Sequence, residues 1–555
     1  MGQNSFSLLI VLAEHYITEL FEVSLVTFWM YKNIYIGNSF IYTILEGVLA
    51  MNDQNQNTQK IQNEKKGIED QRVIYTIIQK EKYIQDGLNH TDDLFIRELK
   101  KNGKLIKIFF LDSLTDKTSL ETNIIKPLID STLNDVKHVI TSAKLITTTN
   151  LDIAIEMIPE GYCVIMEELS EKLLLAPFPN EHSSRTEPEN ERIIRGSHQG
   201  FGENISENVQ FIRERISSSK LTITLSKIGE TSKSKYALIY LSDITDPEIL
   251  KKIENRISYI QTDSIQAPGA FEELIEDHTY SPFPQFLNTE RVDRVVSNLM
   301  EGRVALVMDG SPTALIFPVT FFSFFQTAED YNSRTTISSF FRIIRIFCFI
   351  ITVCLPAFYI ALISFNYEII PVEIVFSIKS SLEFVPFPPL IEAAIMQLTL
   401  ELLREAAIRL PNPISQTIGI VGGLVMGTAV VEANFVSNTM VIVVAITAIS
   451  SFVIPSNELS TSCRILGFPL MIGAALFGVF GIVIGLTIIL IHMCKLKSLS
   501  LPYLYPLAPF DFSALKDTLI RAPVWLMKVR PKDLNTQYRW KTSNARGWRK
   551  DEKSD

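Results

Sequence analysis

Residues 346–365 contain no charged side chain, and that run constrains the fold more than any other feature of the chain. As an α-helix it rises about 30 Å, the thickness of a bilayer's hydrocarbon core. Further uncharged runs occupy 414–431, 433–454 and 465–493. Lipid offers no partner to backbone N–H and C=O groups, so this half is expected to be an all-α, polytopic membrane domain at 340–495. Arg334, Arg342 and Arg345 stand just before the first run, which places the preceding half on the cytoplasmic side.

Charge divides the same way. The chain carries −9 overall, but 495–555 has 13 Lys/Arg against 6 Asp/Glu, a net +7, so the remainder sums to −16. A basic tail (496–555) beside a membrane span points to contact with anionic membrane lipid on the cytoplasmic side. It carries no basic-aromatic motif for nucleic acid.

Two features of the apolar half carry functional weight. Gly419, Gly423 and Gly427 recur at four-residue spacing and so share one helix face. Without side chains there another backbone approaches closely, either from a second copy or from this chain's own bundle. The second feature is the charged helix at 390–410. Gln397, Glu401, Arg404 and Glu405 fall on one side, with Ala394, Ile395, Leu398 and Leu402 elsewhere. Helical neighbour spacing lets Glu401 meet Arg404, and Glu405 meet Arg409. A charge in lipid costs at least ~2.5 kcal/mol, so this face lines a pore or cavity, or is neutralised inside the bundle. Five membrane segments are counted, with 465–493 as one long span. The tail is expected on the same side as the first half, which calls for four crossings with the charged segment re-entrant or interfacial.

The half before residue 340 reads as α+β or α/β in two subdomains, 71–180 and 190–335, after a polar lead-in at 51–70. Apolar runs at 104–111, 162–166 and 172–176 are expected strands in the first, and 221–228, 236–242, 303–308 and 314–319 in the second. Pro127 interrupts the helical pattern of 119–136, and Pro247 opens a helix behind Thr245 and Asp246. No internal repeat is evident. The glycine-rich 196–202 lacks the order of a phosphate loop, and His198 has no Ser or Cys partner at catalytic spacing, so a structural turn is expected. The five cysteines are scattered and read as small core residues. No enzyme activity, metal site or cofactor is expected.

Residues 1–50 fit neither a span nor a signal peptide, because Glu14, Glu19 and Glu22 interrupt an apolar stretch without a basic start. Glu46-Gly47-Val48 back-translates to a ribosome-binding sequence, so translation is expected to start at Met51 and 1–50 to be a mis-annotated extension.

A resemblance ties these features together. RGSHQGF with ENISENVQFIRERI, SPFPQFLNTERVDRVVSNLMEGRVALVMDGSP, QTAEDYNSR, VPFPPLIEA, LREAAIRLP, TIGIVGGLVMGTAVVEANFVS and LPYLYPLAPF stand in order over 190–525. In these the chain resembles the A subunits of GerA-type spore germinant receptors. It departs at Val292, where the family usually has proline, at Asn332, commonly tyrosine, and at Glu432, usually glutamine. The resemblance implies a non-enzymatic sensor subunit of the spore inner membrane that triggers germination. Its implied partners are a transporter-like B subunit, a C-subunit lipoprotein and further copies of itself, assembled into a ligand-gated ion channel. A secondary transporter and a non-conducting scaffold are the alternatives.

Overall fold

The run 104–111 is apolar at nearly every position because its sheet is covered on both faces. Ile106, Ile108 and Phe110 point to one core, Phe109 and Leu111 to the other. In the computed structural model the described residues are 76–541 and 546, except 102, 132–134, 143, 169, 181–185, 412–421, 424–426 and 513. The expectations for 1–50 and 51–70, and Gly419, lie outside them.

The first sheet comprises β1 (Leu94–Lys101), β2 (Lys104–Leu111), β3 (Ile146–Thr148), β4 (Tyr162–Glu167) and β5 (Leu173–Pro177), in spatial order β1-β2-β4-β5-β3. On one face lie α1 (Ile77–Gly87), capped by Thr76, and α2 (Leu151–Met157). Helical segments at 117–130 and 136–139 cover the other; the first runs continuously through Pro127, with a π-helical stretch at Glu121–Ile125 ahead of it, so the interruption expected at Pro127 does not occur there.

The second sheet holds β6 (Leu221–Ile228), β7 (Ser234–Leu241), β8 (Leu287–Thr289), β9 (Val304–Met308) and β10 (Ala314–Phe317), in order β6-β7-β9-β10-β8. Its helices are α3 (Ile205–Arg215), α4 (Pro247–Ser258), α5 (Pro268–Ile275) and α6 (Val292–Leu299). Every pairing in both sheets is antiparallel, which favours the α+β description over α/β. Strands and helices alternate along the chain, yet short hairpin turns join half of the paired strands and the longer connections also return antiparallel, so no parallel crossover occurs among the described strands.

The two sheets also share one topology, strand for strand, where no repeat was evident in the sequence. Asp116 and Asp246 cap the helix after the second strand of each. Leu151, Ala154 and Ile158 bury the helix face that Val292, Val295 and Leu299 bury in the second. Gly161 and Gly302 follow these helices with left-handed φ of 86° and 101°. A conserved geometry with changed side chains leaves little for residue-by-residue comparison to find.

Past Thr335 the chain is helical: α7 (Thr335–Ser364), α8 (Val372–Leu382), α9 (Pro389–Arg409), α10 (Asn438–Val453), α11 (Asn457–Phe477) and α12 (Val479–Lys495). Gly467 lies against the Thr352 and Val353 carbonyls and Gly478 against Phe365, so α7 and α11 run parallel, away from the sheets. The expected single span at 465–493 is instead two helices. Gly478, at φ 62° and ψ −141°, ends α11 and starts α12. The chain folds back there because glycines meet glycines: a Cβ on Gly481 would overlap the Gly473 carbonyl. Both arms return to the sheet end, where Ser462 donates to the Pro282 carbonyl and Ser281 bonds His492 at 2.9 Å.

Contacts along α9 and α10 give their directions. Glu392 meets Ser437 at the far end, beside Tyr359, whereas Arg404 meets Ser451 at the sheet end. Both therefore run back toward the sheets. The charged helix α9 thus runs from the far end of the described bundle to its sheet end, beside α10. The tail packs on the second sheet. Arg530 donates to the Met300 carbonyl at 2.8 Å and Lys541 pairs with Glu301 at 2.8 Å.

Candidate functional site

The interior of this bundle is polar at two levels. At the sheet end, Glu401 Oε1 accepts from Arg404 Nη1 at 2.9 Å and pairs with Arg464 Nε at 2.7 Å. Further guanidinium N–H groups donate to hydroxyls, Arg404 to Ser451 and Arg464 to Ser460 and Thr461, while Arg404 Nε has no hydrogen-bond partner among the described residues. Phe452 lies under Arg404, its ring centroid 4.8 Å from the guanidinium carbon. Two cations on one carboxylate oxygen leave the cluster with a net +1.

At the far end, Glu392 is fully buried. Its Oε1 accepts from both the backbone N–H and the hydroxyl of Ser437, each at 2.5 Å, so one helix supplies the cap for another. Tyr359 stands 3.3 Å from the same hydroxyl. Glu392 Oε2 and the buried Gln397 Oε1 have no hydrogen-bond partner among the described residues.

A third cluster joins the bundle to the sheets. Arg342, fully buried near the start of α7, reaches Asp330 at 3.4 Å and Asp517 of the tail at 3.0 Å. Arg345 pairs with Asp330 at 2.8 Å, and Tyr331 donates to Asp517 at 2.8 Å. Beneath it lies an aromatic seam. Phe321 is 5.4 Å from Phe349 of α7 and 6.0 Å from Tyr503, centroid to centroid.

These features belong to a known lineage. The model of the Bacillus/Clostridium GerA spore germination protein family matches residues 82–533. The chain belongs to the GerA spore germination family. It is 38% identical over 467 residues to spore germination protein GerLA of Bacillus cereus, covering 82% of this chain and 95% of that one. Spore germination protein A1 of Bacillus subtilis (strain 168) is 37% identical over 476 residues, 83% and 98% of the two chains. The uncharacterized membrane protein YfkQ of the same strain is 38% identical over 438 residues, 78% and 85%. A solved N-terminal domain of the A subunit of the Bacillus megaterium spore germinant receptor GerK3 aligns with 45% of this chain and 99% of its own length, at 25% identity and TM-score 0.36.

In this GerA-family chain the structure brings Gln397, Glu401 and Arg404 inward but leaves Glu405 outside, paired with Arg409 at 2.9 Å and largely exposed. Among the described residues nothing lies within 4 Å of a Cβ placed on Gly423 or Gly427, whereas one on Gly422 would meet Leu403 at 2.8 Å. Arg464 and Glu392 were not singled out from the sequence. Arg464 is the one charge inside 459–494, and an isolated charge in an apolar run is itself a signal. Glu392, in the first turn of α9, has no such mark. The 196–202 segment is a connector: Arg291 donates to the Ser197 carbonyl at 2.8 Å and His198 is exposed. Burial pushes the Cys163 thiol up to about 12, in keeping with a core residue.

Proposed function

We propose that this chain is the A-type subunit of a nutrient germinant receptor, a multi-pass protein of the spore inner membrane with its sheets and tail on the spore-core side. In this reading it works with a transporter-like B subunit and a C-subunit lipoprotein, and copies of it assemble through the Gly419, Gly423 and Gly427 face into a ligand-gated ion channel. The supporting observation is one continuous hydrophobic core that runs from the second sheet through Phe321, Phe324 and Phe325 into α7, α10, α11 and α12. Such a core lets a change at the sheets bias the helices without a separate linkage. Membrane placement is supported by an apolar outer surface, with Ile442, Ile449, Phe452, Phe480, Ile488 and Ile491 all exposed. Thr335–Ser364 and Asn457–Phe477 are long and apolar enough to cross.

Glu401 belongs to the frame of the bundle in this account, since two guanidiniums depend on it. Purified protein in liposomes tests the whole reading: passive ion flux supports a channel, gradient-coupled solute uptake a transporter, and neither a scaffold. Glu401→Gln is expected to lower protein abundance, because it leaves the mostly buried Arg404 and Arg464 guanidiniums without their shared carboxylate. Normal abundance with changed cation selectivity would move Glu401 into the conduction path. Gly423→Leu meets nothing among the described residues of its own chain, so insertion is expected to be kept while crosslinked oligomers disappear, at about 1–3 kcal/mol per site. Oligomers at wild-type yield would remove the glycine face from assembly.

A further inference from the structure

A groove of about 330 Å³ runs between α9 and α11, lined by Ile391, Ala394, Leu398, Phe468, Met471 and Ile472. Its walls are apolar throughout. Because α9 runs toward the sheets and α11 away from them, Arg404 and Arg464 lie one to two turns beyond the groove at its sheet-side end. Ser462, two residues before Arg464, already touches the sheet-side loop at Pro282, so the arginines sit where the chain leaves the apolar bundle. We propose that this groove and its arginine pair form a site for one anionic phospholipid, the acyl chain against α9 and α11 and the phosphate against Arg404 and Arg464.

Charge is the reason for choosing this occupant. Arg404 and Arg464 share the single carboxylate oxygen of Glu401, and their other bonds go to neutral hydroxyls. Residues 412–431, which include those nearest in sequence that the structure does not describe, contain no Asp or Glu. The next carboxylate on α9, Glu405, is already paired with Arg409. One positive charge is therefore left at low dielectric, where it is costly, and a phosphodiester neutralises it with charge-assisted bonds. A helix from a second copy would fill the apolar part but bring no anion to its end. A basic pocket between membrane helices on the side of the basic tail is the setting in which anionic headgroups bind.

The proposal rests on the membrane reading, and its test separates the two. The full chain is reconstituted in vesicles of equal phosphatidylglycerol and phosphatidylcholine with matched acyl chains, re-extracted, and its retained lipid counted by native mass spectrometry. Failure to float with the vesicles refutes the membrane reading itself. For the floating protein, phosphatidylglycerol is expected to be enriched about fivefold, the effect of one surface cation on an anionic lipid. Arg404→Gln leaves a neutral Glu401–Arg464 pair and is expected to abolish the enrichment. Ala394→Phe fills the groove without touching charge and is expected to reduce retained lipid of both kinds, while Arg409→Gln changes neither. Equal retention of the two lipids by the wild type, or enrichment that survives Arg404→Gln, overturns the site. Thermal stabilisation by inorganic phosphate equal to that by phosphatidylglycerol overturns the lipid in favour of a free anion. Loss of oligomers in Ala394→Phe with lipid retention intact overturns it in favour of a second copy.

Discussion

The two sheets share a strand order but differ in what covers them. The first is enclosed on both faces by its own short helices, from α1 and α2 on one side to the turns at 117–139 on the other. One face of the second is closed by α4 and α5. Its other face, under α3 and α6, continues through Phe283, Phe321 and Tyr503 into the helix bundle. One topology thus serves as a self-contained module in one position and as the base of a membrane bundle in the other. The difference lies in which face remains available, and of the two sheets only the second has a core that the long apolar helix α7 completes.

The largest expected effect tests that asymmetry directly. Phe109→Ala and Phe321→Ala each remove a buried ring, at about 3–5 kcal/mol. Phe109→Ala is expected to expose residues 76–180 to limited proteolysis while the bundle's melting temperature holds. Phe321→Ala is expected to lower the melting of the second sheet and bundle together. Equal loss of bundle stability in both variants would erase the distinction.

A smaller effect concerns the joint between the sheets. Arg213 of α3 is fully buried and donates to Asp93 through Nε at 3.0 Å and Nη2 at 2.8 Å. The Asp92 N–H bonds the Ile223 carbonyl at 2.9 Å, so the first unit also grips an edge strand of the second. Asp93→Asn keeps the shape but strands a buried cation, and is expected to cost up to about 3–5 kcal/mol in thermal unfolding. The double variant Asp93→Leu with Arg213→Met is expected to recover much of it. No recovery would mean that the pair is needed for more than mutual neutralisation.

The smallest effect lies between the second sheet and the bundle. Burial, followed by the neighbouring Glu458 and Glu276 carboxylates, pushes Glu272 up to about 8. Its unfolded value is about 4.3, so between those limits the folded state holds more protons and stability falls as pH rises. The slope is at most about 1.4 kcal/mol per pH unit, and it vanishes below the window and above it. Glu272→Gln is expected to flatten unfolding free energy across this range and to gain most near pH 8. An unchanged slope would assign the pH dependence to another group.

Much of the architecture was legible because local chemistry decided it. Alternating and doubly buried apolar runs at 104–111 and 221–228 had to be strands, and Pro247 behind Asp246 had to start a helix. The candidate site was legible only in part. Helical spacing predicts that Glu401 and Arg404 meet, since both lie on one helix. It cannot supply Arg464, which arrives from another helix and turns a neutral pair into a cationic cluster. Nor does hydropathy say where an apolar run bends. At 29 residues, 465–493 would rise about 43 Å as one helix, more than a bilayer core requires.

What the sequence determined by itself was therefore the list of elements and the division into a charged half and an apolar half. These depend on interactions within a few residues or on transfer from water, which each segment carries with it. Only the tertiary structure decided that Gly478 folds one run into two helices, that the charged helix spans the bundle, and that Glu401 answers to two arginines. Each of those depends on what a distant segment places opposite a residue: the Gly473 backbone against Gly481, Ser437 against Glu392, α11 against α9.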